Sequence, residues 1–186
     1  MKTKNLERYL NSVGKQVVNR AKGGLQKKKG GGSRLEESIK FKVVREKKGF
    51  VIQFFMSDYG TFVDKGVSGT KKKRKYKDTK NQMVVSPYRF GTGSSRVGKN
   101  KGGMSGIIAK WVKRKGFQWK DKKTGRFMSH KSMGYLIARS IYSKGIQGLS
   151  FFTKPLGLAM KTFNQGVSQA IAQDIADNLK NNKNKK

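Results

Sequence analysis

Ile39-Lys40-Phe41-Lys42-Val43-Val44, followed after Lys47-Lys48-Gly49 by Val51-Ile52-Gln53-Phe54-Phe55-Met56, is the stretch that decides the fold. Ile39, Phe41 and Val43 alternate with Lys40 and Lys42, a period that puts the apolar side chains on one face of a strand. Ile52, Phe54 and Met56 repeat the pattern against Val51, Gln53 and Phe55. A glycine-containing turn between two such runs predicts an antiparallel hairpin. Because the second strand is apolar on both sides, its outer face is expected to meet a helix or a neighbouring subunit.

Upstream, Leu6, Tyr9, Leu10, Val13, Val17, Val18 and Ala21 recur at spacings of three and four, predicting an amphipathic helix over residues 5–22. Gly23-Gly24 then opens a segment rich in glycine and lysine, read to Ser33 as a mobile basic loop ending near a cap. Downstream, residues 66–103 carry much Gly, Ser, Lys and Arg around two small apolar islands, Met83-Val84-Val85 and Tyr88-Arg89-Phe90. This is expected to be a second long basic loop. Ser105 precedes a helix through Ile107, Ile108, Trp111 and Val112 that ends in Lys113-Arg114-Lys115-Gly116. Residues 117–131 form a small basic excursion containing Trp119 and Phe127, in which Lys122-Lys123-Thr124-Gly125 is a candidate hairpin turn.

Met133, Leu136, Ile137, Ile141 and Tyr142 predict a further helix closed by Lys144-Gly145. After Pro155 the series Leu156, Met160, Phe163, Val167, Ala170, Ile171, Asp174, Ile175 and Leu179 predicts one long helix packed over the hairpin. The expected architecture is α+β: a small antiparallel sheet, built on the hairpin, against N-terminal and long C-terminal helices, with long basic loops. Residues 1–180 read as a single structural domain and 181–186 as a disordered basic tail.

Of the 186 residues, 44 are Lys or Arg and 10 are Asp or Glu, a net charge of +34. Such a chain repels itself unless a polyanion or counterions neutralise it, and nucleic acid is the first candidate partner. Cysteine is absent, so disulfides and thiolate metal sites are excluded. Neither a signal peptide nor a membrane span is expected, because no apolar run approaches the ~18 residues that spanning requires.

Catalysis is poorly supplied. His130 is the only histidine and lies in a basic stretch, which leaves a triad or a His-rich metal site without partners. Asp58 and Asp64 suggest a carboxylate pair, against which stands the commoner role of helix capping or an ion pair with Lys65. Gly91-Thr92-Gly93 and Gly102-Gly103 lack the spacing of a phosphate-cradling loop. No enzyme, metal or cofactor is implied, and the scattered acids argue against a nuclease.

The candidate contacts to DNA or an acidic partner are Lys71, Lys72, Lys73, Arg74, Lys75 and Lys77, continued by Arg89, Arg96, Lys99 and Lys101. Two readings of the 71–77 run stay open: a phosphate-binding arm in which Tyr76 stacks, or a solvated loop spread by self-repulsion. Lys110, Lys113, Arg114 and Lys115 complement a helix dipole whatever else they do. Trp111, on the apolar stripe, reads as core or subunit contact. Trp119 and Phe127, flanked by charge, are candidate subunit-interface residues. Phe151 and Phe152 are candidates too, set against the alternative that they plug the domain's own core.

Three segments carry a family resemblance: Tyr59-Gly60-Thr61-Phe62-Val63-Asp64-Lys65-Gly66-Val67-Ser68-Gly69; Ile107-Ile108-Ala109-Lys110-Trp111-Val112-Lys113-Arg114-Lys115-Gly116; and Leu136-Ile137-Ala138-Arg139-Ser140-Ile141-Tyr142-Ser143-Lys144-Gly145-Ile146, leading into Phe151-Phe152-Thr153-Lys154-Pro155-Leu156. In their order, ahead of a long C-terminal helix, the chain resembles the neck or tail-completion (head-tail joining) proteins of tailed bacteriophages. The long basic segment 66–103 departs from that pattern. The resemblance implies a structural virion protein forming a homo-oligomeric ring around the DNA channel, beside portal, neck or tail proteins. Nonspecific contact with phage DNA is implied, and membrane contact is not. The expected location is the virion neck or tail, with the host cytoplasm during assembly. The competing expectation from charge alone is a free, sequence-nonspecific nucleic-acid-binding protein.

Overall fold

A computed structural model describes residues 3–29, 32–47, 49–91 and 103–183. In chain order these form α1 (Lys4–Lys29), α2 (Arg34–Ser38), β1 (Lys40–Glu46), β2 (Gly49–Phe55), α3 (Gly60–Lys65), β3 (Gly66–Ser68), β4 (Lys75–Lys77) and β5 (Met83–Val85). After the gap come α4 (Gly103–Lys115), α5 (His130–Lys144), β6 (Gly145–Gln147) and α6 (Thr153–Lys183). The fold is α+β, with small two-stranded sheets among helices. The chain divides into two compact units, residues 1–64, 76–84 and 149–186 in the first, 65–75 and 85–148 in the second. The sequence reading expects one domain there.

In the first unit, β1 and β2 pair antiparallel in the register Phe41↔Phe54 and Val43↔Ile52, so the alternating apolar residues share one face, as expected. That face packs on α1, whose Val17, Val18, Ala21 and Leu25 are buried with Leu35, Ile39 and Phe151. Gly14 on α1 makes the approach possible, since a Cβ there would overlap the Phe41 ring. Gly166 does the same on α6, where the Tyr9 ring occupies the space of a Cβ.

Two expectations are corrected here. First, α1 runs through Gly23 and Gly24 to Lys29, where the sequence predicts a loop over 23–33. Two interior glycines cost about 1 kcal/mol each against alanine. Burying Leu25, 1% exposed, returns about 1.5–3 kcal/mol. Gly24 also packs against Phe151, and Gln26 Nε2 donates to Glu36 Oε1 on α2. Tertiary contact therefore carries the helix across its own breaker. Ser33 caps α2 by accepting the Glu36 N–H at 3.3 Å.

Second, α6 lies along α1 rather than over the hairpin. Its buried side holds small residues, including Ala159 and Ala170, together with Asp174. Met160, Ile171, Ile175 and Leu179, expected in the core, are exposed. The helix continues to Lys183, and the rest of the expected tail lies outside the described residues.

In the second unit, α4 and α5 pack side by side, with Val112 and Met133 fully buried. Gly134 marks their closest approach, where a Cβ would stand 2.7 Å from that of Ala109. Antiparallel to β6, β3 pairs Gly66↔Gln147 and Ser68↔Gly145. Where residues 66–91 are expected to be loop, the chain forms β3 in this unit, and β4 and β5, of which Tyr76, Lys77, Met83 and Val84 belong to the first unit. Residues 92–102 lie outside the described residues.

Candidate nucleic-acid interface

The densest cationic run begins by closing the end of a helix. Gly145, at φ 74°, ends α5 with its N–H on the Ile141 carbonyl. The next orphan carbonyls are met by the segment after β3. Thr70 N–H donates to Tyr142 O at 3.0 Å, and Lys71 N–H to Ser143 O at 3.0 Å. Arg74 Nε donates to Lys144 O at 2.7 Å and Nη2 to Gly145 O at 3.3 Å. The Arg74 N–H donates to Ser68 Oγ at 3.0 Å, and Gln147 Nε2 to Lys75 O at 2.7 Å. A guanidinium among helix-terminal carbonyls satisfies acceptors and complements the dipole together.

The candidate contact residues thus differ in exposure. Arg74 is half-buried in a capping role, whereas Lys71, Lys72, Lys73 and Lys75 around it are exposed. The first part of the run is thus a rim of lysine side chains on a backbone fixed by its own hydrogen bonds. Lys77 is half-buried in the first unit, where its N–H donates to Ser150 Oγ at 2.9 Å. Arg89 Nη2 donates to Thr70 O at 3.2 Å, which ties its head back to the same segment. Arg96, Lys99 and Lys101 fall outside the described residues.

A second basic surface lies between α4 and α5. Asp121 N–H donates to Arg126 O at 2.9 Å and Met128 N–H to Trp119 O at 2.8 Å, with Lys120 bridged to Phe127 between them. This is the small hairpin that the sequence proposes. Asp121 Oδ1 accepts the Lys123 N–H at 2.7 Å and the Thr124 N–H at 3.2 Å, an Asx turn that fixes the tip. Phe127 is 62% exposed and Trp119 47%. Lys120 Nζ sits 5.2 Å from the Phe127 ring centroid. Trp111 is partly exposed and meets the Phe117 ring edge-on at 5.3 Å, which sets aside the core alternative of the two that the apolar stripe suggests, core or subunit contact.

Phe151 is 3% exposed, in the core of the first unit. Phe152 packs against that core and meets Phe54 at 5.4 Å. The geometry of this pair follows the plug alternative rather than an exposed interface anchor. Just before them, Ser150 N–H donates to Asp64 O at 2.9 Å. Asp64, 3% exposed, accepts the N–H of Phe152 at 2.8 Å and of Thr153 at 3.2 Å, as well as the Thr153 hydroxyl. It therefore caps α6 from a distant part of the chain, while Asp58 is exposed, and the two are not arranged as a working carboxylate pair. Among the described residues, no group of three or more His, Cys, Asp or Glu side chains could hold a metal ion. No helix among them is long and apolar enough to cross a membrane.

Sequence reasoning missed the capping roles of Arg74 and of Asp174, whose carboxylate holds the start of α1. No local pattern marks either, because the groups they satisfy come from remote segments. Comparison with known proteins returns no match to a family model, to a curated protein or to a solved structure.

Proposed function

We propose that this chain is a structural, non-enzymatic subunit of a tailed-phage particle, in the ring of the neck that joins head and tail. The observation that carries the reading is apolar surface left open on a strongly cationic chain. Val51 and Phe55 lie on the outer face of β2, and Ile171, Ile175 and Leu179 run along α6 at a spacing of four. Contiguous exposed apolar residues mark contact sites, while a charge of +34 opposes association until an anionic partner reduces it. Neighbouring copies and other portal, neck or tail proteins would supply the apolar contacts, and channel DNA or an acidic ring the counter-charge.

The function is positioning. The capped body holds lysine rims in place, and phosphate contact through them needs no base sequence. The order of helix, hairpin, short helix, tryptophan helix, glycine-closed helix α5 and long final helix also supports the reading, since it is the order on which the family resemblance rests. Electron-microscopy imaging of a purified particle tests it. A closed ring of this subunit between head and tail is expected, and a particle that lacks the subunit would overturn it. Tight duplex binding by the free subunit, without ring formation in the presence of particle components, would favour the nonspecific nucleic-acid-binding alternative.

A further inference from the structure

We infer that the hairpin between α4 and α5 is a binding site for single-stranded nucleic acid, with Trp119 and Phe127 as stacking platforms. This goes beyond the ring reading, and it stands or falls without it. Every residue from Lys113 to Phe127 except Asp121 is exposed. The cations of this surface are Lys113, Arg114, Lys115, Lys120, Lys122, Lys123 and Arg126, with Lys131 following. Asp121, the one acid among them, is turned into the hairpin tip by its two backbone hydrogen bonds. The tip therefore presents positive charge on a geometry it already holds.

Lys120 and Phe127 are cross-strand partners on one face of the hairpin, so strand alternation turns Trp119, next to Lys120, to the other face with Met128. A nucleic-acid strand that uses both rings therefore crosses the hairpin. Exposed rings in such a field suit a partner that offers flat apolar faces and negative charge together. Unpaired bases on a phosphate backbone have both, whereas a duplex hides its base faces. Stacking of this kind tolerates any base, and cations track the strand beside it. A further element extends the path. Met128, paired with Trp119 through the backbone, also lines an open cleft of about 460 Å³ with Gly106, Lys131, Tyr135 and Leu136. Tyr135, 56% exposed, adds a third ring next to a cation.

The test uses the full chain and labelled 15-nucleotide dT and rU strands, a blunt duplex, and anionic phosphatidylserine vesicles. Fluorescence anisotropy is read across a salt series. Trp119→Ala and Phe127→Ala are each expected to weaken binding of a single strand about 5- to 150-fold. Their salt slope should stay that of the parent. Lys122→Gln with Lys123→Gln should instead flatten the slope by about 0.7 for each phosphate no longer neutralised. In Trp111→Phe, which leaves Trp119 as the sole tryptophan, dT should quench the remaining emission, a readout that does not depend on an alanine variant folding. The dT and rU arms show whether DNA, RNA or both are held, and binding of either supports the site. A loss below five-fold in both aromatic variants, absent quenching, equal aromatic dependence on the duplex, or aromatic-dependent binding to vesicles alone would overturn it. Particle imaging reads none of these quantities, so failure here and failure of the ring proposal are distinguishable.

Discussion

The carboxylate of Asp174, on α6, accepts the backbone N–H of Asn5, in the first turn of α1, at 2.8 Å across 169 residues of chain. Its other oxygen accepts the Leu6 N–H at 3.0 Å, and Asp177 accepts the Asn5 side-chain amide at 2.8 Å. The first N–H groups of any helix lack internal acceptors. Here an acid of another helix supplies them, with the favourable sign for the dipole. The apolar pattern of α6 is interrupted by a buried charge because that charge fastens α1.

Asp174→Ala leaves two part-buried donors without their acceptor, so it should lower stability by about 1–3 kcal/mol. Asp174→Asn, which keeps one acceptor oxygen, should lose less. Urea unfolding of both variants checks this, and an unchanged midpoint in the alanine variant would show that the interaction contributes nothing net.

Arg74 should behave as a fold residue more than as a phosphate contact. Arg74→Lys keeps the charge but loses the planar fork that reaches two carbonyls, at an expected cost of about 1–3 kcal/mol in the second unit. Hydrogen exchange should report it as faster exchange of the Thr70 and Lys71 amides. Unchanged protection would remove the capping role.

Lys71→Gln, Lys72→Gln and Lys73→Gln combined should do the reverse. Their side chains are exposed, and surface changes of this kind usually alter stability by no more than about 0.5 kcal/mol each. If the rim meets phosphate, the salt slope for duplex DNA should fall by about 0.9 for every phosphate the rim had neutralised. A full slope in the triple variant would assign the rim to solvent.

Two glycines of α1 should respond to alanine with opposite signs. Nothing lies within 4 Å of a Cβ built at Gly23, so Gly23→Ala should gain up to about 1 kcal/mol of helix propensity. Gly14→Ala drives a methyl into the Phe41 ring, and overpacking of that kind costs about 1–3 kcal/mol. Thermal melts of the two variants displaced in the same direction would contradict the packing of β1 on α1.

The hairpin was legible because its alternation is local: Phe41 and Phe54 show their shared face within a few residues of sequence. The end of α5 was legible for the same reason, with Lys144-Gly145 carrying the stop. The end of α1 was not, since Gly23-Gly24 signals a break and the reason it is overridden, Leu25 packing in a core with Phe151, is set by residues far along the chain. The apolar series of α6 misled in a different way. Its period is helical whether it faces a core or a neighbour, so periodicity placed Ile171, Ile175 and Leu179 on a helix without saying what would cover them. The exposure of Trp119 and Phe127 was legible in their charged flanks. Arg74 and Asp174 act on backbone groups, which one sequence position resembles as much as another, whereas for Asp64 capping was already the commoner role.

The clasp between Asp174 and Asn5 also sets an order of events during synthesis. The second unit uses only residues 65–75 and 85–148, all of which precede α6 on the ribosome. The first unit needs residues 149–186 to complete it. Until these emerge, the apolar face of α1 lacks its long helical neighbour and its N-terminal amides lack their carboxylate. α1 is made before the second unit yet becomes native only after α6 has followed it, and that interval is when its apolar surface is open to premature association.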